Sequence, residues 1–461
     1  MNLFDTVDMR VGNPVRQIVR FTIPMLLGNI AQQLYNTVDS IIVGRFVGDN
    51  ALAAVGSAGP ILNLMLVLFM GISVGASIMV SQYFGAAQRE DLSKTIGCSI
   101  TLTGIASLII MIIGPLLSGP LLRLLNTPES IIDWCQSYLT IIFIGIAGNG
   151  YYNILSGVLR GLGDSVSALC YLLVATVVNI VLDYVFVAKL GLGVAGVAWA
   201  TIIAQFISSA LSLFKLTRMS DIFDLRAEYL NPRGRYTRSL IRLGVPSGIT
   251  QAIFSMSMIV VQSLTNSFGE LFIAANVIVM RIDGFVMLPA FSFGSAMTTF
   301  AGQNIGAGKM DRVLIGARNG TFTAMGVSAV ITALILLFGR ALMGVFTQTA
   351  ELIDLSYRMM QILSFGYIAM EVTQCLSGIM RGAGDTVTPM WISIITSIAL
   401  RIPLAYGLVA LTRTPELPQG NCAMMYVSLL ISWSTGAIIT FIMYLRGRWK
   451  KTALLSDPTR K

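Results

Sequence analysis

Long apolar stretches recur along the whole chain, and each is bounded by charged residues, glycine or proline. Segments such as SLIIMIIGPLLS and SAVITALILLF are apolar at nearly every position. A membrane-spanning helix needs about 20 mostly apolar residues, whereas the strands of a membrane barrel alternate polar and apolar positions. The pattern therefore predicts an all-α polytopic membrane protein. We predict twelve spans, at residues 18–42, 52–80, 95–118, 130–157, 166–188, 194–217, 243–267, 272–300, 314–338, 352–379, 387–411 and 422–445.

A polar stretch, RMSDIFDLRAEYLNPRGRYTRS, interrupts the apolar pattern between the sixth and seventh spans. It divides the chain into a six-helix bundle at 1–217, a basic linker at 218–242, a second six-helix bundle at 243–445 and a tail at 446–461.

The two halves repeat each other. Residues 155–165 read LSGVLRGLGDS and residues 376–386 read LSGIMRGAGDT, with seven identities in eleven positions at an offset of 221. Because each half has an even number of spans, the copies should keep one orientation and be related by a pseudo-two-fold axis along the membrane normal. We expect substrate to pass between the bundles.

The shared RGxGD segment predicts a tight turn between two helices. Glycine allows the non-helical conformation, and Asp164 and Asp385 are expected to cap the helices that follow. Arg160 and Arg381 fall at predicted cytoplasmic ends. We favour this structural explanation over direct contact with substrate. A nucleotide site is not expected, since a phosphate loop needs a preceding strand and a GK[ST] ending.

Composition supports the membrane assignment, and charge sets the orientation. The chain is 55% hydrophobic and only 11% charged, against roughly a quarter charged in soluble domains. Most of the 31 lysines and arginines fall at the predicted cytoplasmic ends, so the net charge of +9 follows the positive-inside rule and does not indicate a nucleic-acid partner. Both termini and the linker are predicted to be cytoplasmic. The richest basic cluster lies between the two halves and comprises Lys215, Arg218, Arg226, Arg233, Arg235, Arg238 and Arg242.

Histidine is absent, and the five cysteines are scattered without CxxC spacing. The sequence therefore lacks imidazole proton relays, Ser/His and Cys/His catalytic pairs, a zinc motif and a disulfide framework. We expect no enzyme activity and no cofactor, and any proton chemistry must use carboxylates. The polar N-terminus does not resemble a cleaved signal peptide.

Ionisable residues at membrane depth are candidates for function because burying a charge there is costly. In the first half these are Asp39 and Asp183. Asn179 lies four residues before Asp183, and Tyr35 four before Asp39, so each pair shares a helix face. Thr201 adds a hydroxyl. Two carboxylates, an amide and a hydroxyl are oxygen ligands suited to a proton or to Na⁺.

The alternative is structural, with Asp39 at the outer end of its span and Asp183 bonded to a neighbouring helix. At the repeat offset Asp183 and Asn179 correspond to Leu404 and Leu400, so the acidic set occurs in one half only. A residue required by the bundle architecture would more often recur in both copies. This asymmetry between the halves favours a functional role for Asp39 and Asp183 over the structural one.

The second half has a different charged set: Arg281 and Asp283 in one span, Glu371 in another, and Arg401 in a third. Residues two apart do not share a helix face. We therefore hypothesise that Arg281 pairs with Glu371 and not with Asp283. Two explanations stay open. The pair holds helices together, or Glu371 belongs to a second cation or drug site. We include Arg281, Asp283 and Glu371 among candidate cavity or gating residues.

Several motifs in a fixed order invite comparison with a known family. LYNTVDSIIVGRFVGDNALAAVG is followed by SQYFGAAQ, GVLRGLGD, FVMLPAFSFG, TTFAGQNIGAGK and GIMRGAGD. Across nearly the whole chain this order resembles the multidrug and toxic compound extrusion (MATE) transporters, and most of all their DinF-like branch.

The resemblance implies an antiporter that works by alternating access through a cleft between two bundles. It would export organic, cationic or amphipathic compounds in exchange for inward H⁺ or Na⁺. The branch's cation site carries over onto Asp39, Asn179, Asp183 and Thr201. Tyr35 and Asn153 resemble residues of the neighbouring cavity, and Pro24 resembles the proline at which the first helix bends. The NorM-like branch places its acidic site in the second bundle. Its seventh-helix glutamate is missing here, and Glu371 is out of register with its tenth-helix aspartate.

We expect a protein of the bacterial cytoplasmic membrane that has the lipid bilayer and small organic substrates as partners. A monomer should suffice because one chain contains both bundles. The nearest alternative is a lipid-linked glycan or lipid flippase of the same superfamily, although those usually have extra helices and a strongly basic cavity. A membrane-embedded transferase would need a catalytic base that the sequence does not offer.

Overall fold

The computed structural model describes residues 6–125, 127–232, 234–415 and 417–453. Within these ranges the only β structure is one isolated bridge between Thr414 and Leu417. The predicted all-α class is confirmed. Fifteen α-helices are present in the described residues: α1 Pro14–Phe46, α2 Asp49–Gly85, α3 Arg89–Leu124, α4 Glu129–Ile144, α5 Ile146–Gly161, α6 Ser165–Asp183, α7 Gly193–Thr217, α8 Gly234–Asn266, α9 Glu270–Val286, α10 Leu288–Gly306, α11 Met310–Gly344, α12 Ala350–Gly382, α13 Val387–Ile394, α14 Arg401–Leu411 and α15 Ala423–Arg446.

In the described part of the chain, ten helical stretches are long and apolar enough to cross a membrane. Some of these stretches join consecutive helices, such as α9 with α10 and α13 with α14. An eleventh is the pair α4 and α5, which is bent by 53°. The helix α1 is 33 residues long but less apolar, because its middle carries amide and acidic side chains. With α1 included, the helices correspond to the twelve predicted spans.

The chain forms two compact units. The N-terminal unit contains the described residues up to Asp8 and Ile23–Gly248, and the C-terminal unit contains Met9–Thr22 and the described residues from Ile249 onward. The first part of α1 therefore belongs to the C-terminal unit, and the first part of α8 to the N-terminal unit. Each helix passes from one unit to the other near a proline, beside Pro24 in α1 and close after Pro246 in α8. The predicted division places all of α1 in the first bundle and divides α8 between the linker at 218–242 and the second bundle at 243–445.

The predicted linker at 218–242 is partly helical and is packed against α3. A short 3₁₀ turn spans Ala227–Leu230, and α8 begins at Gly234. The Nη2 of Arg89 lies 2.9 Å from the Oδ1 of Asp224, and this hydrogen-bonded contact lowers the pKa of Asp224. The backbone N–H of Asp224 also donates to Ser93 Oγ at 2.9 Å. Arg233 and the tail from residue 454 lie outside the described residues.

The repeat is visible in how glycines pack two helices in each unit. In the N-terminal unit, Gly157 and Gly161 of α5 face Ser73 and Ser77 of α2. At the offset of 221, Gly378 and Gly382 of α12 face Gly294 and Thr298 of α10. A Cβ on Gly378 would lie 2.3 Å from the carbonyl oxygen of Gly294. Small residues thus allow the backbones to approach closely, as in many membrane helix pairs.

The turns after these helices also match the prediction. Gly163 has φ +93° and Gly384 has φ +96°, values that residues with a Cβ rarely adopt. Asp164 Oδ1 accepts from the N–H of Ser167 at 2.9 Å, and Asp385 Oδ1 accepts from the N–H of Thr388 at 3.0 Å. The predicted cap at Asp164 is confirmed. Asp385 lies one residue before Thr386, the N-cap of α13, and its carboxylate still accepts from an N–H in the first turn of that helix.

Candidate functional site

A cavity of about 490 Å³ lies within the N-terminal unit. Residues of α1, α2, α4, α5, α6 and α7 line it, and Pro24, Tyr35, Asn153 and Thr201 are among them. Its wall is rich in side-chain amides that can donate and accept hydrogen bonds. These amides belong to Asn29, Gln32, Asn36, Asn63, Asn149, Asn153 and Gln205.

Asp39 joins this cavity to a buried acidic group. Its side chain lines the cavity, while Asp183 and Asn179 on α6 are 0% exposed behind it. The carboxyl of Asp183 interacts with that of Asp39 and with the amide of Asn179. The hydroxyl of Tyr35 donates to Thr201 Oγ1 at 3.4 Å. The structure thus brings together the four residues predicted to bind a cation, with Tyr35 beside them.

The oxygen atoms of this acidic group lack well-formed hydrogen bonds. Asp39 Oδ1, both carboxyl oxygens of Asp183 and both polar atoms of Asn179 are buried without a hydrogen-bond partner of normal geometry among the described residues. Buried polar groups are nearly always paired, and two neighbouring carboxylates repel each other when both are ionised. A shared proton or a bound Na⁺ would relieve both problems. Carboxylate, amide and hydroxyl oxygens are the donors that a hard cation prefers, so the residues fit either ion.

Helix α6 changes geometry next to this group. A π-helical turn, Tyr184–Lys189, follows Asp183 directly. Such turns are rare and occur often at functional sites. Tyr138 of α4 is buried and interacts with both carboxyl groups.

The candidates of the second half do not assemble as the pairing hypothesis required. Arg281 on α9 is exposed, whereas Glu371 on α12 is 2% exposed and its Oε2 has no hydrogen-bond partner within the described ranges. The predicted pairing of Arg281 with Glu371 is therefore wrong: the two side chains lie in opposite environments, one solvent- or lipid-facing and one internal. None of the three candidates Arg281, Asp283 and Glu371 lines the large cavity.

Asp283 instead faces a small cavity of about 70 Å³ within the C-terminal unit. Its Oδ1 accepts a hydrogen bond from the hydroxyl of Tyr367 at 3.0 Å. Arg401 lines the same cavity and donates from Nη1 to Ser257 Oγ at 3.2 Å. These opposite charges share a cavity without forming a direct ion pair.

Sequence reasoning missed Tyr138, Arg160 and most of the amide wall. Tyr138 lies in an apolar run, where an isolated aromatic residue gives no signal of function. Arg160 was assigned to a turn, yet its side chain lines the cavity. The amides of α1 and α5 were detectable in principle, because amides are unusual in membrane spans and mostly face the protein interior.

Comparison with known proteins agrees with this architecture. The family model MatE matches residues 24–185 and 246–407, which are two copies of one unit and together cover more than half of the chain.

Two curated proteins of Bacillus subtilis (strain 168) are similar over nearly their full length. The "Probable multidrug resistance protein YoeA" is 31% identical over 95% of this chain and 94% of its own. The "Probable multidrug resistance protein YpnP" is 30% identical over 98% of this chain and 99% of its own.

Solved structures share the fold. One, described as the "Outward-facing conformation of a multidrug resistance MATE family transporter of the MOP superfamily", has a TM-score of 0.89 at 24% identity and covers 98% of this chain and 99% of its own. Another, a MOP superfamily transporter from Pyrococcus furiosus, has a TM-score of 0.88 at 24% identity and covers 96% of this chain and 97% of its own.

Proposed function

This chain belongs to the MATE family of transporters, and on that premise we propose that it exports organic compounds in exchange for inward-moving H⁺ or Na⁺. Its substrates are cationic or amphipathic compounds, and it works by alternating access. The bacterial cytoplasmic membrane is its location, with both termini in the cytoplasm. Relatives named as multidrug resistance proteins support the efflux role.

One observation carries the coupling proposal: Asp39 belongs both to the wall of the large cavity and to the buried acidic group. A ligand in the cavity and a cation at the carboxyl pair therefore act on the same side chain. Thr201 has a similar double position, since its hydroxyl lines the cavity and accepts from Tyr35. If occupancy of one site changes the affinity at the other through these shared side chains, linkage makes the change equal in both directions.

The chemistry of the exchange follows from charge. When neither a proton nor Na⁺ is bound, Asp39 and Asp183 present negative charge and favour a cationic group in the cavity. Binding of the inward-moving cation neutralises part of that charge and weakens the attraction. Asn179 and Thr201 supply neutral oxygens that complete the coordination of Na⁺ or stabilise the protonated pair by hydrogen bonding.

The test is transport of a fluorescent cationic dye in proteoliposomes, under an imposed pH gradient and separately under an imposed Na⁺ gradient. Asp39→Asn should reduce gradient-driven efflux by about tenfold or more, a barrier increase of about 1.4 kcal/mol or more, and the protein should stay folded and inserted. Wild-type protein that moves no dye under either gradient would refute the exchange. Full efflux by the Asp39→Asn variant would remove Asp39 from the coupling site.

A further inference from the structure

We propose that Arg160 binds an oxyanion group of the ligand, a carboxylate or a phosphate, so that the large cavity selects amphipathic compounds that carry one. This inference rests on the proposed function, in which the cavity holds substrate. It adds a substrate class and a specificity-determining residue at the opposite end of the cavity from Asp39.

Arg160 lies in the last turn of α5 and contributes to the cavity wall together with Tyr152 and Ser165. Its side chain is half-buried. Among the described residues it forms no ion pair and no side-chain hydrogen bond. A guanidinium carries five N–H donors and keeps its charge at any physiological pH, so this arrangement leaves a full positive charge directed at an internal cavity.

The nearby acidic residue is already engaged. Asp164 Oδ1 and Oδ2 accept from the N–H and hydroxyl of Ser167 at 2.9 and 2.7 Å, and Lys215 Nζ lies 3.9 Å from Oδ2. Asp164 is thus the cap of α6 and is compensated by a different cation.

Asp39 is too distant to pair with Arg160. Arg160 shares its end of the cavity with Ser165, the first residue of α6, whereas Asp39 interacts with Asp183, the last residue of that helix. The 19 residues of α6 separate the two ends by about 27 Å at 1.5 Å per residue. The cavity is therefore polarised, with a carboxyl pair at one end and an unpaired guanidinium at the other.

The charge and shape of the Arg160 guanidinium favour an oxyanion as the ligand group. A partly buried charge is costly unless an opposite charge or hydrogen-bonding groups compensate it. The planar fork of arginine matches carboxylate and phosphate oxygens bidentately. Asn149 and Asn153 lie earlier on α5, at least seven residues before Arg160, and line the same cavity. Their amides are hydrogen-bonded to each other at 2.8 Å, and the donors and acceptors that remain can bond the rest of a ligand away from the guanidinium.

The repeat supplies a matched control. Arg381 occupies the corresponding position of the RGxGD turn in the C-terminal unit, four residues before Asp385, whose carboxylate accepts from the N–H of Thr388. It is not part of the large cavity. Any effect of Arg160 on the turn itself should therefore be reproduced by the same change at Arg381, whereas an effect on ligand choice should not.

The experiment measures equilibrium binding of two rhodamine dyes to the full chain in phosphatidylcholine nanodiscs, by fluorescence anisotropy without any gradient. One dye has a free carboxylate, and the other is its methyl ester with the same cationic ring system. We expect the wild type to bind the carboxylate dye about tenfold or more tightly than the ester. Arg160→Gln should abolish this preference, Arg160→Lys should retain part of it, and Arg381→Gln should leave it unchanged.

A second arm separates a soluble ligand from a lipid headgroup. Dihexanoyl phosphatidate is added as competitor, with dihexanoyl phosphatidylcholine as control. Displacement of dye by phosphatidate alone, dependent on Arg160, would assign the oxyanion to a lipid phosphate and support the site.

Three results would overturn the proposal. In the first, the wild type binds both dyes equally and phosphatidate does not compete. In the second, Arg160→Gln keeps the preference for the carboxylate dye. In the third, Arg160→Gln and Arg381→Gln weaken the binding of both dyes to the same extent. Because binding is measured without a gradient, loss of coupled efflux in the Asp39→Asn variant has no bearing on the outcome.

Discussion

At the scale of single residues, burial separates the acidic side chains of the two units. Asp183 is 0% exposed and interacts with a second carboxyl, whereas Glu371 is 2% exposed without a nearby basic partner in the described residues. A lone buried carboxyl can stay neutral, but two adjacent carboxyls hold one exchangeable charge between them. We therefore propose that the coupling ion exchanges at Asp39 and Asp183, and not at Glu371.

This difference predicts a ranking of variants. Asp183→Asn and Asn179→Ala should each reduce cation-driven dye efflux in proteoliposomes by about tenfold, because each removes an oxygen ligand or titratable group from one cluster. The double variant Asp39→Asn, Asp183→Asn should be little worse than the more severe single variant, since groups that bind one ion act as a unit. Glu371→Gln should change efflux less than any of them.

The opposite ranking would relocate the site. Should Glu371→Gln alone eliminate coupling while Asp183→Asn leaves efflux intact, the coupling ion is bound in the C-terminal unit.

At the scale of elements, two helix pairs depend on the absence of side chains at their crossing. In the C-terminal unit α12 crosses α10 where Gly378 meets the backbone of Gly294, and Gly382 meets that of Thr298. The repeated pair in the N-terminal unit uses Gly157 and Gly161. Backbone atoms cannot rotate away as a side-chain end can, so this closeness is a firm constraint on sequence.

We therefore expect Gly378→Ala to destabilise the protein by about 1–3 kcal/mol, the usual range for overpacking, or to prevent folding. The added Cβ would lie 2.3 Å from the oxygen of Gly294, and the helices would have to separate. Thermal unfolding in detergent measures the loss. The control is Gly407→Ala in α14 of the same unit, where a new Cβ meets nothing within 4 Å and alanine favours the helix. Equal melting temperatures for the two variants would contradict the packing argument.

At the scale of the whole molecule, the distribution of basic residues predicts the orientation in the membrane. Positively charged loops are retained on the cytoplasmic side, which places the linker inside and the loops near Asp49, Thr127 and Gln419 outside.

Cysteine labelling with an impermeant reagent checks this orientation in cells that express a cysteine-free background. Gln419→Cys is exposed and should react from outside. Arg226→Cys, at a position with 62% side-chain exposure, should react only after the membrane is permeabilised. Labelling of Arg226→Cys in intact cells would reverse the predicted topology.

Local patterns in the chain were sufficient to predict the class of fold, the repeat, the turns and the candidate cation ligands. Apolar run length reports a membrane span directly, and a glycine or aspartate in a turn acts through its own backbone, as Gly163 and Asp164 do. Asp39 and Asp183 stood out because charge within a span is rare. Their meeting, the position of Arg160 in a cavity wall and the separation of Arg281 from Glu371 depend on which helix faces which. No short-range pattern in one sequence shows which helix faces pack against each other, because the rotation and packing of each helix result from many weak contacts summed over the bundle.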